Sequence, residues 1–400
     1  MNPNDFHSGF PGDLESTKFE EIGRDGKPLP RVGMAFVPRS LPPALDWNSI
    51  TGRLFPLLDQ VRRSLTQLDG EVDSLPSTSI LLGAMTNREA QASSRIENTV
   101  SSLHDLVVAE IDESRVPADS LEVLRNRRAI EHGVRSNLPV CSRLLREMHQ
   151  VLIADPRQRP GEFRDRQVYI GNTTDGFDHA RFVPPPPARV DECMARWESF
   201  CNPPASSAPD RPRLAYFIEL ALAHYQFEAI HPFSDGNGRL GRALVTLAPV
   251  KDGELRHPVC NLSEWVQSNR QEYYDRLLRV STHGEWEAWI GFFCRAIVGQ
   301  SNADLLRAGR LKRMYEDINQ KIKSGRRSTT SLRLVDALFE RPALSIPIAQ
   351  KVLGVTYRTA AIHVQDLVKA GFLVARDNEV YNKVFIAPGV LDAIRGSGED

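Results

Sequence analysis

The stretch HPFSDGNGRLGR, residues 231–242, decides the reading of this 400-residue chain. It follows an apolar run, RLAYFIELALAHYQFEAI, whose Leu214, Phe217, Ile218, Ala221 and Tyr225 recur at helical spacing. A second apolar run follows it. Gly236 and Gly238 let backbone N–H groups approach a ligand without interference from a Cβ, just before that second helix. A helix N-terminus carries unpaired N–H donors and the positive end of the dipole, so the spacing predicts a cradle for an anion such as phosphate. Arg239 and Arg242 lie three apart and can clamp phosphate oxygens bidentately. Asp235 would repel a phosphate unless a divalent cation bridged the two. This predicts Mg²⁺ held through one carboxylate plus phosphate oxygens. His231 is the candidate general base, because proton abstraction from a hydroxyl needs a group with an intrinsic pKa near about 6.5. Each of these residues has an ordinary structural explanation when taken alone; their order makes one mechanism. No GxxxxGK[ST] sequence is present, so this is not a Walker A loop.

The rest of the chain bounds what surrounds that mechanism. There are 50 basic and 51 acidic residues, a formal charge of −1, so no global field draws the protein to nucleic acid or membrane. Cys141, Cys193, Cys201, Cys260 and Cys294 are odd in number and irregular in spacing, which fits neither a disulfide framework nor a CxxC zinc site. The first residues lack a basic segment followed by an apolar one, and nowhere do about 18 apolar residues run together. The expectation is a cytoplasmic protein with no membrane partner.

Residues 1–45 are rich in Gly, Pro and charge and read as an extended segment pinned by Phe36, Leu41 and Trp47. From Trp47 to Gln150 apolar residues recur at three and four, as in Leu54, Leu57, Leu58, Val61 and Leu65, and again in Leu103, Leu106 and Val107. Residues 154–190 break the rhythm with turn residues, a β-prone VYI and four consecutive prolines, which predicts a hairpin-like loop. Helical spacing resumes to about residue 300, and Leu311, Met314, Tyr315, Ile318 and Ile322 mark a connecting helix. The predicted fold class is mainly α. Its parts are helices over 1–150, a core over 151–300, a linker helix over 301–324 and a small C-terminal domain over 325–400.

HPFSDGNGRLGR resembles the HxFx(D/E)GNGRxxR signature of the Fic (filamentation induced by cAMP) family at every specified position. The resemblance implies a helical core with a small β-hairpin flap over about 160–187, and a protein adenylyltransferase that moves AMP from ATP to a Ser, Thr or Tyr hydroxyl of a target protein. By that resemblance His231 deprotonates the target, Phe233 anchors the loop and Asp235 holds Mg²⁺. Gly236, Asn237, Gly238, Arg239, Gly241 and Arg242 bind the nucleotide. In the Doc-type branch a lysine stands where Gly238 stands here, so this sequence sides with AMP transfer. The flap would receive the target protein by strand addition. Tyr273 and Tyr274, in NRQEYYDRLL, are candidates for walls of the adenine pocket, with core packing as the other reading.

Ser93, Glu97 and Asn98 in SSRIEN, residues 93–98, fit the (S/T)xxxE(G/N) inhibitory motif of the same family, on a helix over about 88–100. This implies a class II member, in which Glu97 pairs with Arg242 and holds ATP in an unproductive pose. In some relatives the same glutamate positions water to remove AMP, so de-AMPylation stays open. Residues 345–388 resemble a winged helix-turn-helix. Ile348 and Val352 would pack a short helix, Gly354 the turn, and Thr356–Ala370 the recognition helix, with Arg358 and His363 facing DNA. Over 325–400 there are ten Lys/Arg against eight Asp/Glu, a weak surplus for phosphate contacts, so a DNA or a protein partner fits equally. A nucleotide-sensing DNA-binding regulator is the alternative function, and a homodimer is left open.

Overall fold

The computed structural model describes residues 3–22, 28–75, 77–171, 180–203, 214–324, 329–376 and 383–395. Two antiparallel strands, β1 (Gly12–Ile22) and β2 (Pro28–Pro38), open the chain. Helices α1 (Trp47–Asp73), α2 (Ser79–Ile96), α3 (Leu103–Ala109), α4 (Ala118–Arg135) and α5 (Ser142–Leu152) follow. Next come α6 (Pro187–Cys201), α7 (Tyr216–Ile230), α8 (Asn237–Lys251), α9 (Ser263–Ser268), α10 (Arg270–His283) and α11 (Trp286–Ser324). The C-terminal elements are α12 (Thr329–Glu340), β3 (Ala343–Ser345), α13 (Ile346–Leu353), α14 (Tyr357–Lys369), β4 (Val374–Ala375), β5 (Val384–Ile386) and α15 (Pro388–Arg395). The chain is mainly helical, and among the described residues no helix is long and apolar enough to cross a membrane.

Contacts group into two units that interleave in sequence: residues 1–63, 128–254 and 260–298, and residues 64–127, 255–259 and 299–400. In the first, α7 packs on α6, α8 and α10. Its sequence is apolar all round rather than on one stripe, which is the composition of a helix enclosed by others. Its polar groups are met inside. Trp289 Nε1 donates to the Ala221 carbonyl and Trp197 Nε1 to that of Ala223, both at 2.9 Å, and the Tyr225 and Ser281 hydroxyls lie 2.8 Å apart.

The long β1–β2 hairpin is the main departure from the sequence reading, which leaves residues 1–45 extended but unpaired. Phe36, on β2, is fully buried, and its ring is tilted against that of Phe182 with centroids 5.6 Å apart. Helix α11 is a second difference: 39 residues run unbroken where a core helix and a separate linker helix were expected. Gly299 interrupts the apolar pattern, but one glycine costs a helix only about 1 kcal/mol.

In the second unit α2 packs along α12, and Gly83 allows the closest approach: a Cβ there would stand 2.7 Å from the Glu340 carbonyl oxygen. Helices α12, α13 and α14 carry a three-stranded antiparallel sheet in the order β3-β5-β4. Gly354 closes α13 at φ 68°, the turn the sequence predicts, and the Thr356 hydroxyl accepts from the Thr359 N–H to start α14. The buried face of α13 is Ala349 and Leu353, whereas Ile348 is more than a third exposed and Val352 half-buried. His363 is likewise turned inward and hydrogen-bonds the Ser331 hydroxyl on α12 at 3.1 Å, so of the two residues expected to face DNA only Arg358 is exposed. The expected hairpin turn at Asp377-Asn378 lies outside the described residues.

Candidate active site

Helix α7 ends because His231 adopts the left-handed conformation, φ 50° and ψ 61°, and Pro232 cannot continue the hydrogen-bond ladder. A non-glycine residue in that region is strained and must be held by its surroundings. Much of the holding comes from Arg164, whose side chain is only 3% exposed. Its Nε donates to the His231 carbonyl at 2.8 Å and its Nη2 to those of Pro185 at 2.6 Å and Ile230 at 3.4 Å. Its Nη1 donates to the Arg166 carbonyl at 3.2 Å, and its backbone N–H to the Pro232 carbonyl at 2.9 Å. Burial lowers the Arg164 pKa to about 10, which leaves it a cation at neutral pH.

The loop from Pro232 to Gly236 is closed by Asn237. Its side-chain oxygen accepts from the Phe233 N–H and its side-chain nitrogen donates to the Phe233 carbonyl, both at 2.8 Å. Phe233 is fully buried, stacked on His149 at 4.0 Å and against Phe163 at 5.3 Å. This is the anchoring expected of Phe233. The Asn237 side chain is thus used up within the loop, and what the residue can offer an anion is its main chain.

His149 fixes the other end of the loop. The Gly161 N–H donates to its Nδ1 at 2.8 Å, so the proton sits on Nε2, which donates to the Asp235 carbonyl at 3.1 Å. Burial drives the His149 pKa down to about 4, so the ring is neutral at pH 7. Gly236 follows at φ 78°; a Cβ there would also lie 2.9 Å from Leu152 Cδ2. Two independent constraints therefore demand glycine.

Helix α8 starts at Asn237, so its first N–H groups open at this loop. Arg239 and Arg242 are both buried. The Asp235 carboxylate is 54% exposed; its Oδ1 accepts from the Gly236 N–H at 2.6 Å and from Arg239 Nη2 at 3.3 Å. That fits a hard cation bound through one carboxylate and completed by phosphate and water oxygens. Among the described residues no cluster of three His, Cys, Asp or Glu could hold a metal alone. At Gly241 a Cβ would meet the Glu228 carboxylate and lie 3.2 Å from Phe227 Cδ1, both on α7.

The two tyrosines separate. Tyr273 is 1% exposed, and its hydroxyl donates to His224 Nε2 at 2.8 Å, while His224 Nδ1 donates to the Gly241 carbonyl at 2.9 Å. Tyr273 therefore braces α8 from the core, the packing alternative raised by the sequence, and burial holds His224 neutral with its pKa near about 3. Tyr274 is half-buried, with the Arg270 guanidinium 5.7 Å from its ring centre.

Of residues 160–187, where the sequence predicts a flap, 172–179 lie outside those described. Ile170 and Phe182 exchange two backbone hydrogen bonds, at 2.8 and 3.0 Å. The β1–β2 hairpin braces this pair: the Phe36 N–H donates to the Val183 carbonyl at 2.8 Å, and the Thr17 hydroxyl to Gln167 Oε1 at 2.7 Å. Gln167 in turn donates to the Pro184 carbonyl at 2.9 Å.

In the other unit, SSRIEN ends α2. Ser93 is buried inside the helix, Glu97 is the exposed C-cap, and Asn98 stands at φ 68°. The Thr99 N–H donates to the Ser94 carbonyl and the Asn98 N–H to that of Arg95, both at 3.0 Å. This is a Schellman stop, which favours Gly or Asn at the left-handed position.

His149, Arg164 and the β1–β2 hairpin are absent from the sequence reading. A histidine on the apolar stripe of Leu145, Met148 and Leu152 was a visible signal for the first.

Residues 139–248 match the Fic/DOC family and residues 55–135 its N-terminal region. The chain is 33% identical over 150 residues to the protein adenylyltransferase Fic of Culex quinquefasciatus, covering 37% of this chain and 26% of that one. It is 29% identical over 268 residues to the protein of the same name from Aedes aegypti, covering 62% and 48%. The chain thus spans about a quarter to a half of the length of these curated relatives. A crystal structure of a Fic family protein from Desulfovibrio desulfuricans G20 aligns with a TM-score of 0.49 at 20% identity, over 83% of this chain and 96% of that one. The signature is intact at residues 231–242, inside the matched Fic/DOC region, and the N-terminal region of the same family precedes it in the chain.

Proposed function

We propose that this protein is an adenylyltransferase that moves AMP from ATP onto a Ser, Thr or Tyr hydroxyl of a target protein. The observation that carries this reading is the loop between α7 and α8. A histidine held in a left-handed turn at one helix end stands beside a glycine-led helix start, with the Asn237–Phe233 clasp fixing the loop between them. His231 accepts the proton of the incoming hydroxyl. The oxygen attacks the α-phosphorus, a P–O bond to the target forms, the bond to the β-phosphate oxygen breaks, and pyrophosphate leaves.

Main-chain N–H groups of Gly236, Asn237 and Gly238, with Arg239 and Arg242, hold the triphosphate against charge repulsion. Asp235 would hold Mg²⁺, which when bound supplies neutralising charge at the phosphates. Gly241 keeps α8 close to α7, and Tyr274 offers the adenine a partly open ring. Glu97 restrains transfer in the resting protein; its exposed place at a well-closed helix end supports that role. Removal of AMP by the same glutamate is the reverse activity to be measured alongside.

The partners this reading implies are ATP, a target docked on the flap over 160–187, and a DNA or protein partner at the C-terminal winged helix. Its cysteine spacing supports a cytoplasmic setting. Homodimer formation is decided by sedimentation.

ATP labelled at the α-phosphate tests the reading. Glu97→Gly should carry covalent label that Glu97→Gly/His231→Ala lacks, while both bind ATP, and label at the γ-phosphate should not be retained. Equal labelling with and without His231 overturns it. Reversible ATP binding with salt-dependent retention on duplex DNA, and no covalent label, would instead establish the nucleotide-sensing regulator.

A further inference from the structure

Among the described residues Arg164 makes no ion pair, although it is almost wholly buried and charged. A guanidinium without a carboxylate partner is stable inside a protein only where dipoles replace the counter-ion. Here they come from three places. The Ile230 and His231 carbonyls close the C-terminal end of α7, where orphan acceptors and the negative end of the helix dipole favour a cation. The Arg166 carbonyl belongs to the arm that leads into the flap, and the Pro185 carbonyl to the arm that leaves it. One planar fork therefore sets the end of α7 against both flap arms, and its own N–H holds Pro232, the next residue of the loop.

We propose that Arg164 is the positioning residue of the site: it holds the left-handed turn that aims His231 and fixes the flap arms to that turn, so that the base and the docked target share one frame. The proposal rests on the adenylyl-transfer reading above. Lysine cannot replace arginine here. Its three donors radiate from one nitrogen and cannot span four carbonyls on three segments.

The test uses the full chain in the Glu97→Gly background, measuring self-labelling against ATP concentration, with Arg164→Lys and Arg164→Ala added. The expected result is transfer about 10²-fold slower in both, since a displacement near 1 Å at a reacting group costs about that much, with the KM for ATP within about threefold of the parent. Added methylguanidinium should restore at least about tenfold of the rate to Arg164→Ala and nothing to the parent.

The His231 imidazole signals, assigned by their loss in His231→Gln, should shift in both variants while those of His104 stay in place. Where Arg164→Ala does not fold, Arg164→Lys, which keeps the charge, carries the comparison. A parental rate in Arg164→Lys overturns the proposal. So does a fall in rate matched by an equal loss of ATP affinity with no rescue, because that is the behaviour of a merely structural residue. If the Glu97→Gly parent transfers no AMP, the adenylyl-transfer reading fails on its own. The His231 signals then decide Arg164 separately, and unchanged signals refute it.

Discussion

Replacing Asn237 by alanine removes the clasp on Phe233, and the structure sets the size of the effect. The clasp is two hydrogen bonds of 2.8 Å, made by a side chain 1% exposed to a backbone whose own residue is fully buried. Truncation leaves one N–H and one carbonyl in a dry interior. Each orphaned group costs about 1–3 kcal/mol, so the expected loss is about 2–6 kcal/mol. Asn237→Asp is the sharper probe. It keeps an acceptor for the Phe233 N–H but sets a carboxylate oxygen against the Phe233 carbonyl, so it should cost at least as much despite its matching shape.

Because Phe233 stacks on His149, and His149 holds the Asp235 carbonyl, loosening the clasp disturbs the loop at both ends. Urea denaturation of the two variants gives the stability change, and AMP labelling in the Glu97→Gly background gives the functional one. Labelling should fall by more than about tenfold even where the protein is fully folded. A stability change below about 0.5 kcal/mol with unchanged labelling refutes the reasoning, because the side chain would then not be the element that shapes the loop.

Two further outcomes follow from other parts of the structure. His149 and His224 have native pKa values lowered to about 4 and about 3 by burial, against about 6.5 when unfolded. The unfolded chain therefore binds more protons as pH falls through this window. The stabilisation is complete above about pH 6.5 and is lost toward pH 4. Each histidine should remove about 2 kcal/mol of stability between pH 7 and pH 5; urea midpoints show this, and His149→Gln should abolish about half the dependence. Asn98, at φ 68°, should tolerate glycine within a few tenths of a kcal/mol and lose about 1–2 kcal/mol on conversion to valine, whose branched Cβ opposes that conformation. Equal stabilities would refute the left-handed stop.

What the sequence reveals, and what it hides, follows from how local each feature is. The loop at 231–242 is legible because every constraint on it acts within a few residues: a helix stop, a glycine at positive φ, a clasp four residues long and a helix start. Arg164 is hidden for the opposite reason. It lies 67 residues from His231 in a stretch, PGEFRDR, whose charges look like solvated surface, and only the tertiary fold brings it under α7. The β1–β2 hairpin is hidden because β1, GDLESTKFEEI, mixes charge and apolar residues on both faces, so period-two alternation is absent. The Asp-Gly pair at 25–26 was the available signal, within residues outside those described. In α13 the period was right and the phase wrong by one residue, because Ile348–Ala349 and Val352–Leu353 pair an apolar residue with another at each step, and eight residues do not separate the two faces.

The same distinction bears on SSRIEN, residues 93–98, which fit the proposed inhibitory pattern. Of its specified positions, Ser93 is a small buried residue within a packed helix, and Asn98 occupies the left-handed position that ends it. Both are accounted for by how α2 is packed and closed. Glu97, exposed and at φ −89°, is the C-cap residue directly before Asn98, so the left-handed stop that Asn98 makes also fixes the backbone from which the Glu97 side chain leaves the helix.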